Sequence, residues 1–301
     1  MAKGRVAINL EYGLLRSLTA VLNALPYAVA MALARALGWF LVVVLRFKRS
    51  RTFARIASVF PEKSRAEIRA IAIGSLQNVF MNGVEMMRAS SLDRAWMDEH
   101  IADGLLYKEK LQALVDEGHG VVIMVPHAGN WYMAAWSMAQ YGLKLFALAA
   151  RQRNPKLDAW MHRQYGAIEV LDRDCRETLV RIKDLLRAGR AFAILPDLRV
   201  RRSDVAAPFL GGIANVSHAG ALFAVRAHAP VVVAAMSRQG GRHVFTHLAT
   251  LRPDPQATDA RAEAVRLTKE AMRLLDAEVC RRPHEWFWYN KRWILEPVKG
   301  E

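Results

Sequence analysis

From residue 120 onward the chain alternates short apolar runs with longer stretches whose apolar residues recur at helical spacing. The short runs are GVVIMVPH (120–127), LKLFALAA (143–150), AIEVLD (167–172), AFAILPD (191–197), APVVVAAMS (229–237) and HVFTHLATL (243–251). Each is short and rich in aliphatic or β-branched residues, so each predicts a strand. Between most of them lie amphipathic segments such as NPKLDAWMHRQYG (154–166) and CRETLVRIKDLLRAG (175–189), which predict helices. The alternation predicts an α/β sandwich around a mixed, largely parallel and buried sheet flanked by helices. A last 3.6-residue pattern, AEAVRLTKEAMRLLDAEVCRR (262–282), predicts a surface helix.

The first ninety residues have a different rhythm. LEYGLLRSLTAVLNA (10–24) spaces its leucines as a helix does, and Pro26 suits the first turn of another. FPEKSRAEIRAIAIGSLQNVFMNGVEMMRAS (60–90) predicts one or two helices, with Ser64 as a cap because Glu67 stands three residues on. Between them, LPYAVAMALARALGWFLVVVL (25–45) carries a single charge, Arg35. As a helix it would extend roughly 30 Å, the thickness of a hydrocarbon core. Arg35 would then sit near its centre, at a cost of about 2.5–3.5 kcal/mol. A helix lying in the membrane plane avoids that cost by turning Arg35 to the headgroups and burying Leu33, Leu37 and Leu41. The basic cluster that follows (Arg46, Lys48, Arg49, Arg51, Arg55) suits an anionic leaflet. The expectation is therefore membrane-associated helices over residues 1–60, monotopic in preference to a single span, and one catalytic domain over 61–301. The run lacks the cleavage site of a signal peptide.

Composition changes this picture in one respect. The 301 residues carry 43 Lys and Arg against 28 Asp and Glu, a formal charge of +15, which favours anionic company: nucleic acid, a membrane face or phosphorylated substrates. WFWYNKRW (286–293) mixes aromatic and basic residues, but no nucleic-acid-binding module is recognisable, and its tryptophans read as packing or interfacial anchors. The two cysteines, Cys175 and Cys280, have no disulfide or zinc spacing. His243 and His247 fall on a predicted strand, where they would stand roughly 13 Å apart, too far to share a metal ion.

Candidate chemistry gathers where two strands end. In open α/β sheets, ligands bind beyond the carboxyl ends of the strands. One run ends in VPHAGNW, placing His127 and Asn130 there; another ends in PDLRVRR, placing Asp197, Arg199, Arg201 and Arg202 there. A histidine after a strand can be a base, and arginines present donor forks that suit phosphate oxygens.

These segments resemble those of the lipid A late (lauroyl/myristoyl-type) acyltransferases and the related phosphatidylinositol mannoside acyltransferases. PHAGNWY is similar to the family's His-x-Gly-Asn-Trp block, and ARQRNPKLDAWMHRQYG to its Arg…Asn-Pro…Arg segment. LPDLRVRRSDVAAPFLGGIANVSHAG resembles its Pro-Asp…Phe-Phe-Gly block, and RRPHEWFWYNKRW its C-terminal tryptophan signature. The N-terminal helices and the Phe-Pro-Glu segment also match, so the resemblance covers almost the whole chain.

The resemblance implies a glycerolipid-acyltransferase-like fold with an N-terminal membrane-associated helical segment. It also implies acyl transfer from an acyl carrier protein or acyl-CoA thioester to a hydroxyl of a lipid A-type glycolipid, on the cytoplasmic face of the inner membrane, without cofactor or metal. His127 matches the family's base, with Asn130 and Trp131 shaping its turn. Asp197, Arg199 and Arg202, with Arg151, Asn154 and Arg163, match acceptor or phosphate contacts. One position departs. Where the family places Asp or Glu five residues after the histidine, this chain has Tyr132. Three readings follow: another carboxylate, Glu85 or Asp197, supports His127; Tyr132 itself orients the imidazole in a slower enzyme; or the chain binds lipid without catalysis. An acyltransferase acting on a different phospholipid or glycolipid is a further alternative.

Overall fold

The local signals of the N-terminal region act as their chemistry dictates in a computed structural model that describes residues 4–175, 177–202 and 204–296. Helix α1 (Arg5–Ala24) stops before Pro26, which stands at the N-cap of α2 (Tyr27–Val43). After α3 (Arg49–Val59), α4 (Arg65–Arg88) opens on a capping box: the Glu67 amide donates to Ser64 Oγ at 3.3 Å while the Ser64 amide donates to Glu67 Oε2 at 2.9 Å.

The apolar run over 25–45 yields a helix of 17 residues, and among the described residues no helix is long and apolar enough to cross a membrane. The single span is therefore set aside. In α2, Ala30, Met31, Ala34, Gly38 and Val42 are buried, mostly against α4, and Gly38 is required there because a Cβ would come 2.7 Å from Gln77 Cα. Leu33 and Leu37 remain exposed, as does a row of α1 residues including Leu10 and Leu14. Arg35 does not lie with them. It borders a cavity of about 400 Å³ that Tyr27, Gln77 and His284 also line.

A short α5 (Arg94–His100), the two-residue β1 (Ile101–Ala102) and α6 (Gly104–Val115) lead into the α/β body. There β2 (Val121–Met124) is followed by α7 (Trp131–Gln140), β3 (Leu145–Ala149), α8 (Pro155–Gln164) and β4 (Glu169–Asp172). Next come α9 (Glu177–Arg187), whose predicted start includes residue 176, outside the described residues, and β5 (Ala191–Ile194). A hairpin of β6 (Val205–Phe209) and β7 (Gly212–Val216) precedes α10 (Ala219–Ala227). Long strands β8 (Val231–Gln239) and β9 (Arg242–Leu251) and helix α11 (Ala260–Arg281) complete the body.

The main sheet has seven strands in the order β1-β9-β8-β2-β5-β3-β4. Every neighbouring pair is parallel except β8–β9, so the sheet is mixed and largely parallel, as the alternation predicts. β2 is buried throughout and β8 nearly so, because helices cover both faces. One core joins Ile182 of α9, Ala224 of α10 and Leu275 of α11 to Ile68 of α4 and Ile56 of α3. A second joins Leu111 of α6 to Met133 and Trp136 of α7, and a third, smaller one joins Leu22 of α1 to Ala30 of α2 and Val84 of α4.

The β6–β7 hairpin is absent from the expectation. Pro208 and the glycines masked a strand whose residues nonetheless alternate buried and exposed. Leu210 and Gly211, at φ +51° and +71°, form the tight turn, since two successive left-handed residues match the twist of a hairpin.

Candidate active site

The site is built by register. β2 and β5 are parallel neighbours with Met124 opposite Ile194, a constant offset of seventy positions. Carried three residues past the strand ends, the same offset brings His127 beside Asp197. His127 Nδ1 lies 2.7 Å from Asp197 Oδ1, and the His127 backbone N–H donates to Asp197 Oδ2 at 2.7 Å. An ionised carboxylate only accepts, so Nδ1 carries the hydrogen and Nε2 of the neutral ring keeps its lone pair. Trp286 Nε1 donates a third hydrogen bond to Asp197 Oδ2, at 2.8 Å. Burial by itself would raise the Asp197 carboxyl. The adjacent His127 ring and these three hydrogen bonds outweigh it and hold the carboxyl below its ordinary range.

The turn between His127 and α7 is held from all sides. Gly129 takes φ +57° and sits so close to β8 that a Cβ would fall 1.6 Å from the Met236 carbonyl oxygen. Asn130 caps α7, its Oδ1 accepting from the Met133 amide at 2.9 Å. The Trp131 ring leans over the imidazole, with ring centroids 5.3 Å apart. Because α7 begins at Trp131, the amides of Trp131 and Tyr132 belong to the first-turn donors that a helix cannot satisfy internally.

His127 and Trp131 border a cavity of about 520 Å³. Its walls are mostly apolar, including Leu111, Met138, Leu145, Ile168 and Phe245, and Arg173 and Ser217 also line it. The site thus pairs an oriented imidazole with an apolar space suited to a hydrocarbon chain.

Residues 9–294 match the family described as bacterial lipid A biosynthesis acyltransferase. The chain belongs to this acyltransferase family. No curated protein matches it closely enough to count as a relative.

Within an acyltransferase of this family, the departure at Tyr132 takes on a local explanation. The Tyr132 hydroxyl donates to the Gln164 carbonyl at 2.5 Å, and no hydrogen bond or ring contact joins it to His127 among the described residues. Burial, with Tyr165 nearby, raises its pKa, so it remains a neutral phenol in the cavity wall. Of the groups considered as support for His127, Asp197 at the end of β5 is the one bonded to the ring, while Tyr132 bonds to α8. Glu85 is not that group either. It is fully buried on α4 and bonded to Arg238, His243, Tyr27 and Asn130.

The basic candidates are dispersed. Arg199 donates from Nε to the Glu296 carbonyl at 2.5 Å, and Arg202 is exposed on the same loop. Arg151 is ion-paired with Asp172 at 2.7 Å, and Arg163 is exposed on α8. Asn154 is buried, and both ends of its side chain are committed. Its Oδ1 caps α8, and its Nδ2 donates to the Ile8 carbonyl and to Glu11 of α1. Arg55, one of the expected headgroup contacts, instead donates to the carbonyls of Trp288 and Asn290.

Trp286 is the functional candidate that sequence reasoning missed. It reads as one of several packing tryptophans, and indeed Trp286 and Trp288 are buried in the core. The indole N–H on Asp197 follows only from the bridge pairing Ala128 with Trp286, which lays the C-terminal segment across the site.

Proposed function

We propose that the protein transfers a fatty acyl chain from an acyl carrier protein or acyl-CoA thioester to a hydroxyl of a lipid A-type glycolipid precursor. The observation that carries this reading is the His127–Asp197 pair at the edge of an apolar cavity, within a chain of an acyltransferase family. The acceptor hydroxyl gives its proton to His127 Nε2 as its oxygen attacks the thioester carbonyl carbon. Asp197 fixes the tautomer and stabilises the imidazolium that forms. The Trp131 and Tyr132 amides, in the open first turn of α7, are assigned as donors for the oxyanion of the tetrahedral intermediate. The carbon–sulfur bond then breaks, and the departing thiolate takes the proton from His127. No covalent acyl-enzyme is needed. The acyl chain occupies the cavity, which supports a role for Tyr132 as part of its wall. Arg199, Arg202, Arg151 and Arg163 are proposed contacts for acceptor phosphates; Asn154 acts by holding α8 to α1.

Membrane association through α1 and α2 is part of the same proposal. Its support is the exposed apolar row, in which Leu10 and Leu14 are 62% and 72% exposed, followed by the basic residues after α2. Replacing Leu10 and Leu14 together by Glu, well away from the core, is expected to abolish flotation with anionic vesicles. Unchanged flotation would sink that part.

The central test is transfer of radiolabelled lauroyl, myristoyl and palmitoyl groups from acyl carrier protein and coenzyme A into lipid A precursors and total phospholipid. Wild type should label the glycolipid, and His127→Ala should not. Labelling confined to phospholipid would redirect the acceptor assignment, and transfer that survives His127→Ala would remove the base.

A further inference from the structure

Helix α4 turns a row of polar residues inward: Ser75, Asn78, Asn82 and Glu85, at successive spacings of three, four and three, are all buried. Such a row should be apolar in a core helix, because a buried polar group costs free energy unless it is hydrogen-bonded. Every one of these four is bonded, and the partners converge on the backbone around His127. Asn78 and Asn82 each donate from Nδ2 to the Gly129 carbonyl, at 2.8 and 2.7 Å. Glu85 accepts from Asn130 Nδ2, the residue that caps α7. Arg238 of β8 locks the row together. It donates to Glu85 Oε1 at 2.7 Å and also to Glu85 Oε2, and it reaches Asn82 Oδ1 at 2.7 Å and Asn78 Oδ1 at 3.3 Å. Ser75 accepts the Trp288 amide and donates to the Trp286 carbonyl, bracketing the indole that contacts Asp197.

A buried ion pair is a poor route to stability, since well-packed apolar residues of the same volume often do as well or better. What this cluster supplies is geometry. Besides the two amide donors on the Gly129 carbonyl, the Gly129 N–H donates to the Glu285 carbonyl, the Asn130 N–H to the Met236 carbonyl, and the Phe287 N–H to the His127 carbonyl. The turn that carries the imidazole therefore has its height above the sheet set from behind, by groups that never meet the cavity, since none of the four lines it.

We propose that Glu85, Asn82, Asn78 and Arg238 are positioning residues that hold the His127–Trp131 turn in reacting geometry. The claim rests on the reading of His127 as the base. A displacement of about 1 Å at a reacting group can reduce rate about 100-fold while substrate binding persists.

The test compares wild type, Asn78→Ala with Asn82→Ala, and the charge-free pair Glu85→Gln with Arg238→Gln. The asparagine variant removes the grip on Gly129 and leaves the ion pair in place. The paired variant removes both charges together, so that neither is stranded. The expected result is a fall in kcat of about 10- to 100-fold with KM for the acyl thioester within about 2-fold. Amide hydrogen exchange at Ala128–Trp131 should accelerate, and the ¹⁵N signals of His127 should change from one tautomer to a mixture. Variants that lose thermal stability but keep kcat, local exchange and tautomer would overturn the proposal and leave a merely structural cluster. Exchange and ¹⁵N signals are read in the resting protein. A wild type that transfers no acyl group would thus count against the acyl-transfer reading, while these two measurements still decide the positioning.

Discussion

Asp197 and Glu85 are both fully buried carboxylates, each bonded to a histidine, yet their surroundings differ. Asp197 holds Nδ1 of His127, a ring that is partly exposed and borders the large cavity. Glu85 holds Nε2 of His243, a buried ring whose Nδ1 has no partner among the described residues and no open space before it. Arg238 shares that second carboxylate, whereas among the described residues only neutral donors and His127 approach the first. A histidine–carboxylate pair is thus not a site in itself. On the proposed function it becomes one where the ring faces an open cavity, as His127 does, and otherwise it is a fastening.

The largest effect that would sharpen this contrast is on transfer. His127→Ala is expected to reduce kcat about 10⁴-fold, while His243→Ala alters kcat far less, because His243 meets no substrate. A comparable loss in both would erase the distinction. Asp197→Asn should cost about 10³-fold in kcat with little change in KM, since the amide can present its NH₂ to Nδ1 and favour the wrong tautomer. Stability should rank the other way. Glu85→Ala strands the Arg238 guanidinium and is expected to cost about 3–5 kcal/mol by denaturant unfolding.

Acid denaturation offers a further division. Burial alone would raise Glu85, but the Arg238 and His243 charges and hydrogen bonds overcome it and hold the carboxyl well below its ordinary value; Asp197 is likewise held low. With both folded values below the unfolded ones, the stabilisation is fully present above the unfolded carboxylate range. It is lost as pH falls from about 5 through that range towards the folded values. Replacing Asp197 by Asn should flatten the stability–pH curve over this interval, which urea melts at stepped pH would reveal. An unchanged slope would mean that Asp197 titrates alike in both states. The smallest effect should come from Tyr132→Phe, which removes one hydrogen bond to the Gln164 carbonyl. About 1 kcal/mol of stability and less than about 3-fold in rate are expected. A large loss of rate would return Tyr132 to the chemistry.

Much of this arrangement is legible in the chain, and the limits are instructive. Ser64 with Glu67 announces the start of α4, and Pro26 the start of α2, because caps depend on residues three or fewer apart. The apolar runs that became β2, β5 and β8 had no polar face to show, as strands covered on both sides need none. The β6–β7 hairpin carried a usable signal in its alternation and its Leu-Gly turn, obscured by Pro208. The polar row on α4 also carries a signal, since Asn78, Asn82 and Glu85 continue at core spacing the face begun by Ile68, Ile71 and Ala72.

Sequence alone determines that a histidine and an aspartate each follow a buried strand, that the next turn needs glycine, that α1 carries an apolar face and that α2 is strongly apolar. These are short-range consequences of side-chain volume, backbone freedom and hydrophobic period. Which carboxylate serves His127 is decided only by strand order. Tyr132 is five residues from His127 but lies in α7 with its hydroxyl directed to α8, whereas Asp197 is seventy residues away and arrives by the parallel register of β2 on β5. Trp286 reaches the same carboxylate from the C-terminal segment. Neighbours in sequence are turned to different partners where the Ala128–Asn130 turn gives way to α7, and strangers in sequence are brought together by the hydrogen-bonded ladder that fixes the sheet.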